Sequence, residues 1–149
     1  MSADRSYVAK NEVERRRLEM LVRKVDDAAL ARPMDAGWTV ASVLGHLAFW
    51  DQRIVVLAER LRQGADVPLE NGRDVDWIND AQKPVLLAMP PRQLADLAVA
   101  TAVAADRAVE SLSDDLLAKN AAGGQPINVL RAEHRREHLD EIERTLARS

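Results

Sequence analysis

The 149-residue chain carries 21 Lys and Arg against 24 Asp and Glu, a formal net charge of −3 with both signs interspersed, so no basic surface for nucleic acid is expected. It contains no cysteine, which excludes disulfides, Cys-ligated zinc and a thiolate nucleophile, and fits a reducing, cytoplasmic setting. The N-terminus lacks the long apolar core of a signal peptide, and no run approaches about 18 apolar residues, so no membrane span is expected.

The length predicts one domain spanning residues 1–149. Few aromatics and abundant Ala, Leu and Arg favour helices. The first helical pattern covers Ser6 to Ala31, with Val13, Leu18, Leu21, Val22 and Val25 recurring between charged residues. Pro33 ends it, and Thr39 is placed to cap a second helix running to about Gln63, where Gly64 stops it. In that helix Val43, Leu44, Leu47, Trp50, Ile54, Leu57 and Leu61 form one apolar arc with His46 at its edge. Residues 65–73 read as a loop.

Asp74 to Met89 reads as helix, with Pro84 expected to kink or divide it. Pro90-Pro91 opens a further, alanine-rich helix. Ser113 to Leu117 suggests a short extra turn, and Gly123-Gly124 a break. Pro126 is expected to open a last helix reaching about Ala147. No strand-like alternation or repeat stands out, so the predicted class is all-α: a bundle of roughly four long helices with short extra helical turns.

The chain has three histidines, and all fall on inward or near-inward helical positions. His134 and His138 are four residues apart and so share one helix face. Residues Ile127, Leu130, Ile142, Thr145 and Leu146 mark the inward arc of the same segment. Buried polar groups need partners, at about 1–3 kcal/mol each if left without one. A metal shared with His46 would supply a joint partner; three separately satisfied core or surface histidines remain the alternative at this level. His134-x-x-Glu137-His138 also fits the His-x-x-Glu-His pattern of inverted zinc peptidases, but Glu141 and Glu143 lie too close on the same helix to be the further acidic ligand which that chemistry needs.

The run Gly37-Trp38-Thr39-Val40 through His46-Leu47-Ala48-Phe49-Trp50-Asp51 resembles the second helix of the DinB/YfiT-like metal-binding four-helix bundles. His134-Arg135-Arg136-Glu137-His138, followed by Ile142, is similar to that family's last helix. The two motifs occur in the right order, and the likeness spans nearly the whole chain. It implies a four-helix bundle, up-down-down-up or similar, with one divalent metal held by His46, His134 and His138 and water completing the shell. Zinc, nickel and iron all occur in such relatives. Some use a low-molecular-weight thiol such as mycothiol or bacillithiol, among them maleylpyruvate isomerases and thiol S-transferases. Pairing as a homodimer is also implied.

Three protein ligands with open positions would suit a metal-dependent enzyme, a thiol-dependent S-transferase or a hydrolase-like one. A non-catalytic metal-binding or interaction bundle is the alternative. Arg53 lies two turns along from His46 on the same edge, and Arg131 one turn before His134 within the inward arc; Arg135 borders that arc less closely. Arg131 or Arg135 could hold a carboxylate of a small-molecule substrate or thiol. Asn79 and Trp77 are candidates for the mouth of the site, while Trp38 and Trp50 read as core anchors.

Overall fold

The computed structural model describes residues 2–148, and among these every regular element is helical. Helix α1 is Tyr7–Lys24, α2 Asp27–Leu30, α3 Val40–Arg62, α4 Gly72–Leu87, α5 Pro91–Glu110, α6 Asp114–Ala122 and α7 Ala132–Ala147, with a 3-10 turn at Asp35–Gly37. The long helices pack in a ring: α1 lies against α5 and α7, and α3 lies against the same two from the other side. Helix α4 leans on α3 from outside that ring.

Local chemistry explains most boundaries. Thr39 and Ser42 form a reciprocal capping box at the start of α3: Ser42 N donates to Thr39 Oγ1 at 3.1 Å and Thr39 N to Ser42 Oγ at 2.8 Å. Gly64, at φ +76°, takes the left-handed turn that ends α3. Asn71 caps α4 by accepting from Asp74 N at 2.9 Å. Pro84 does not divide α4, which continues through it to Leu87. Asp80 and Pro84 are both exposed, so the carbonyl that the proline leaves without a partner is open to water.

Two boundaries differ from the sequence expectation. The first helix breaks at Val25, because Asp26 caps a separate turn by accepting from Ala29 N at 2.8 Å. The freed carbonyls of Val22 and Val25 are met by the Arg92 guanidinium of α5, at 3.0 and 2.7 Å. The last helix starts at Ala132, not Pro126. The segment before it is held non-helical by side chains: Asn120 exchanges two hydrogen bonds with the Ile127 backbone, and Asn11 of α1 binds both Val129 O and Ala132 N. Val13, assigned above to the inward face of α1, is 64% exposed. The extra turn after Ser113 extends to nine residues as α6.

The apolar core falls into two clusters. One gathers Leu18, Leu44, Leu47, Leu94, Leu139 and Ile142; the other Tyr7, Ile54, Leu61, Val109, Leu112 and Ile127. Between them lies a buried polar layer to which α1, α3, α5 and the start of α7 all contribute: Asn11, Asp51, Asp106, Arg131 and Arg135. Helix α3 is, by length and mean hydropathy (1.2) alone, apolar enough to cross a membrane, but its apolar residues are interrupted by His46, Asp51 and Arg53 and 72% of the stretch is buried inside the fold.

Candidate metal centre

His46 sits on the second turn of α3, within the continuous buried run Val40–Ala48. His134 and His138 sit on successive turns of α7. The three rings form a nearly equilateral triangle, with centroids 5.0, 4.8 and 4.8 Å apart and planes crossed at 71°, 83° and 80°. One ring nitrogen from each lies within 4.8 Å of the others.

His46 Nε2 and His134 Nε2 approach to 3.1 Å. Two nitrogens each about 2.0–2.1 Å from one ion stand roughly 2.8–3.4 Å apart between octahedral and tetrahedral angles, so the pair has the separation of two ligands. His46 Nδ1 is buried with no hydrogen-bond partner. His138 Nδ1 lies 3.3 Å from Glu141 Oε2, which turns its other nitrogen into a candidate ligand oriented by a carboxylate. The donor set therefore fits a divalent transition metal.

The electrostatics keep two of these rings neutral. Burial first, then the neighbouring His138, pushes the His46 pKa down to about 4, with Gln82 opposing weakly. Burial pushes His134 down to about 2, with the charges of His138, His46, Arg131 and Arg135 adding to it. A neutral imidazole is the form that binds a metal.

The polar layer lies directly behind this triangle. Arg135, fully buried, forms a fork with Asp106 at 2.8 and 3.0 Å and also reaches Asp51 at 3.2 Å. Arg131 Nε donates to the other oxygen of Asp51 at 2.9 Å. Asp106 takes a further bond from Arg15 at 2.7 Å. Asp51 lies just over one turn from His46, while Arg131 and Arg135 bracket His134. The layer thus fixes the register of α7 against α3 and α5, and with it where the two α7 histidines meet His46.

Other residues singled out in the sequence fall in different places. Arg53 pairs with Glu70 at 2.6 Å and lies over the Trp50 ring; it borders a separate apolar groove between α3, α4 and α5. Arg131 is committed to Asp51 as above. Arg135, read as peripheral, is the most deeply buried charge of the layer. Asn79 borders the histidine cavity and accepts from Trp50 Nε1 and Gln82 Nε2 at 2.9 and 3.0 Å. Trp77 is 59% exposed and outside that cavity's lining. Trp38, expected only as a core anchor, also walls the cavity, its ring centroid 5.8 Å from that of His46. Glu137 is exposed.

Glu141, Gln82, Arg144 and Arg148 were missed. Glu141 and Arg144 follow His138 at three-residue steps along one face of α7, a signal the sequence did carry, and Arg148 lies just past the end of that helix. The cavity in front of His46 and His138 has a volume of about 540 Å³.

Fold and site define an all-helical protein with a three-histidine group at the floor of an open cavity. The chain belongs to the family described as the mycothiol maleylpyruvate isomerase N-terminal domain, whose model matches residues 12–143. That family is part of the DinB-like superfamily. No curated protein and no solved structure matches the chain.

Proposed function

We propose that the protein binds one divalent metal (zinc, nickel or iron) through His46, His134 and His138 and acts as a metal-dependent enzyme on a small molecule, a thiol-dependent S-transferase or a hydrolase-like one. The observation that carries this reading is the triangle of rings, with two Nε2 atoms at ligand separation. In the same reading α1, α3, α5 and α7 make up the four-helix bundle of a single domain.

Each residue then has a role. The three imidazoles hold the ion, two of them already neutral near pH 7. Glu141 fixes the ring of His138. The Asp51, Arg131 and Arg135 cluster holds α7 in register. Trp38 and Asn79 shape the cavity and restrict water. When bound, the ion would supply Lewis acidity, stabilising a thiolate or lowering the pKa of water toward about 7. The family name supports the thiol reading over hydrolysis. An open cavity beside two of the three histidines favours catalysis over a closed structural site.

Elemental analysis of untagged protein tests the reading. Near-stoichiometric zinc, nickel or iron is expected, lost in His138→Ala with helical circular dichroism kept. Wild-type protein that carries no metal, and is not stabilised by any of the three ions, would overturn it.

A further inference from the structure

Helix α4 gives one of its two buried positions to an amide. The two are Gln82, 8% exposed, and Leu86, and packing against α3 alone would be simpler with a second leucine. Among the described residues two buried side-chain atoms have no hydrogen-bond partner: Nδ1 of His46 and Oε1 of Gln82. Buried polar atoms are nearly always paired, so two orphans close together call for a reason. Gln82 stands beside the His46 ring, where its amide favours the charged imidazole against the effect of burial.

A chain of hydrogen bonds fixes which way the Gln82 amide points. It starts at Trp50, whose indole N–H can only donate. That N–H meets Asn79 at 2.9 Å, so the Asn79 atom facing it is the oxygen. The same oxygen accepts from Gln82 Nε2 at 3.0 Å. Turning the Gln82 amide over would set its oxygen against the oxygen of Asn79. The Gln82 oxygen therefore stays on the other side, and it can only accept. His46 and Trp50 are four residues apart on α3, and Asn79 and Gln82 three apart on α4, so each pair shares one face of its helix. The chain leaves α3 at Trp50, crosses to α4, and is aimed back at α3 through Gln82.

We infer that Gln82 is the positioning residue of His46: its Oε1 accepts from the Nδ1–H of the ring and holds the tautomer whose unprotonated Nε2 faces His134. A small turn of the ring or of the amide closes the contact. The opposite tautomer would set the Nδ1 lone pair against the Gln82 oxygen in a place that water does not reach. Resting on the metal reading above, the same bond presents the Nε2 lone pair to the ion and orients the ring before the ion arrives. Glu141 holds His138 from its partly exposed side. Gln82 does so for His46 from the buried side, with a neutral group that adds no charge to the floor.

The first test needs no metal. Nitrogen-15 NMR of the metal-free protein at about pH 8, where histidine is neutral, reports which ring nitrogen carries the proton. The His46 signals are assigned by their loss in His46→Gln. Wild type is expected to show His46 protonated at Nδ1, and Gln82→Leu to move it toward the Nε2-protonated form. The second readout is zinc affinity by competition with a chromophoric chelator. Gln82→Leu should weaken zinc about 10–100-fold with helical circular dichroism kept, while Gln82→Glu, which retains an accepting oxygen, should bind within about threefold of wild type or more tightly. His46 protonated at Nε2 in wild type overturns the assignment. So does Gln82→Leu with the wild-type tautomer, or Gln82→Glu as weak as Gln82→Leu. If Gln82→Leu does not fold, the wild-type tautomer and the affinity of Gln82→Glu give the answer. Protein that takes up no zinc overturns the metal reading, and the tautomer of metal-free wild type then upholds or overturns the role of Gln82 by itself.

Discussion

His46 Nε2 and His134 Nε2 lie 3.1 Å apart although 88 positions separate them in the chain. Two neutral imidazoles can share one proton at that distance, but the third ring, His138, which is held from its Nδ1 side by Glu141, is brought to the same point with no proton to share. A metal shared by all three rings, as proposed, would account for the triangle. Ligand binding to the folded state at 100 times its dissociation constant adds about 2.7 kcal/mol, which for a chain of this size raises the melting temperature by about 5–10 °C. Zinc or nickel should produce that shift in wild type. Differential scanning fluorimetry of His46→Ala and His134→Ala should show none.

The contact between His138 Nδ1 and Glu141 should matter for metal affinity and not for folding. Glu141 is partly exposed and borders the cavity. Glu141→Gln keeps the shape but weakens the pull on the ring, and loss of such a partner costs roughly 10–100-fold in affinity. Competition with a chromophoric chelator measures this; an unchanged metal affinity would remove Glu141 from the site.

Buried neutral histidines make the metal-free protein acid-sensitive. Their folded pKa values, about 4 for His46 and about 2 for His134, lie below the unfolded value of 6.5. Above pH 6.5 neither state binds the proton and stability is full. As pH falls below 6.5 the unfolded chain gains protons that the folded one refuses, so stability declines until the folded pKa is passed. His46 accounts for a loss on the order of 3 kcal/mol between pH 6.5 and 4. Urea unfolding of metal-free wild type at pH 7 and 4.5 should show the decline, and His46→Gln should reduce it by about 2 kcal/mol. Equal pH dependence in the two proteins would show that His46 is not held neutral by the fold.

The helices and the three histidines were legible because helical period, capping residues and the spacing of His134 and His138 are local signals. Thr39, Gly64 and Pro91 mark their boundaries in the sequence, and the structure places boundaries there. What escaped depends on partners far away in sequence. The break after Lys24 relies on Arg92, and the start of α7 relies on Asn11 and Asn120. Arg135 read as peripheral because a charge is rarely fully buried; only the meeting of Asp51 and Asp106 from two other helices makes its position tenable. The same holds for Arg53, whose place by Trp50 and Glu70 depends on how the 65–73 loop folds back.

That layer should be unforgiving. Removing one member of a buried charge network leaves another without compensation, at about 3–5 kcal/mol. Asp106→Ala strips Arg135 of its forked partner and is expected to lower unfolding free energy by that amount. Arg15→Ala, whose guanidinium is less buried than that of Arg135, should cost less. Because the layer also sets the register of α7, Asp51→Asn should weaken metal binding even where the protein remains folded. Chemical denaturation and metal titration on the same samples separate the two effects.

Gly45, one residue before His46, offers a last test of how tightly α3 is held. A methyl added there would stand 2.8 Å from Leu94 Cδ2 and 2.9 Å from Leu86 Cδ2. Both leucines are buried, so their side chains or the helices that carry them must give way, at about 1–3 kcal/mol. That exceeds the gain of about 1 kcal/mol from replacing glycine by alanine inside a helix. Gly72, by contrast, has nothing within 4 Å of its added methyl, and alanine there should be neutral or stabilising by up to about 1 kcal/mol. The two substitutions are chemically identical, and unfolding free energies of Gly45→Ala and Gly72→Ala should therefore move in opposite directions or at least differ by more than 1 kcal/mol. A stabilised Gly45→Ala would mean that α3, α4 and α5 pack less closely around the histidine floor than the contacts require.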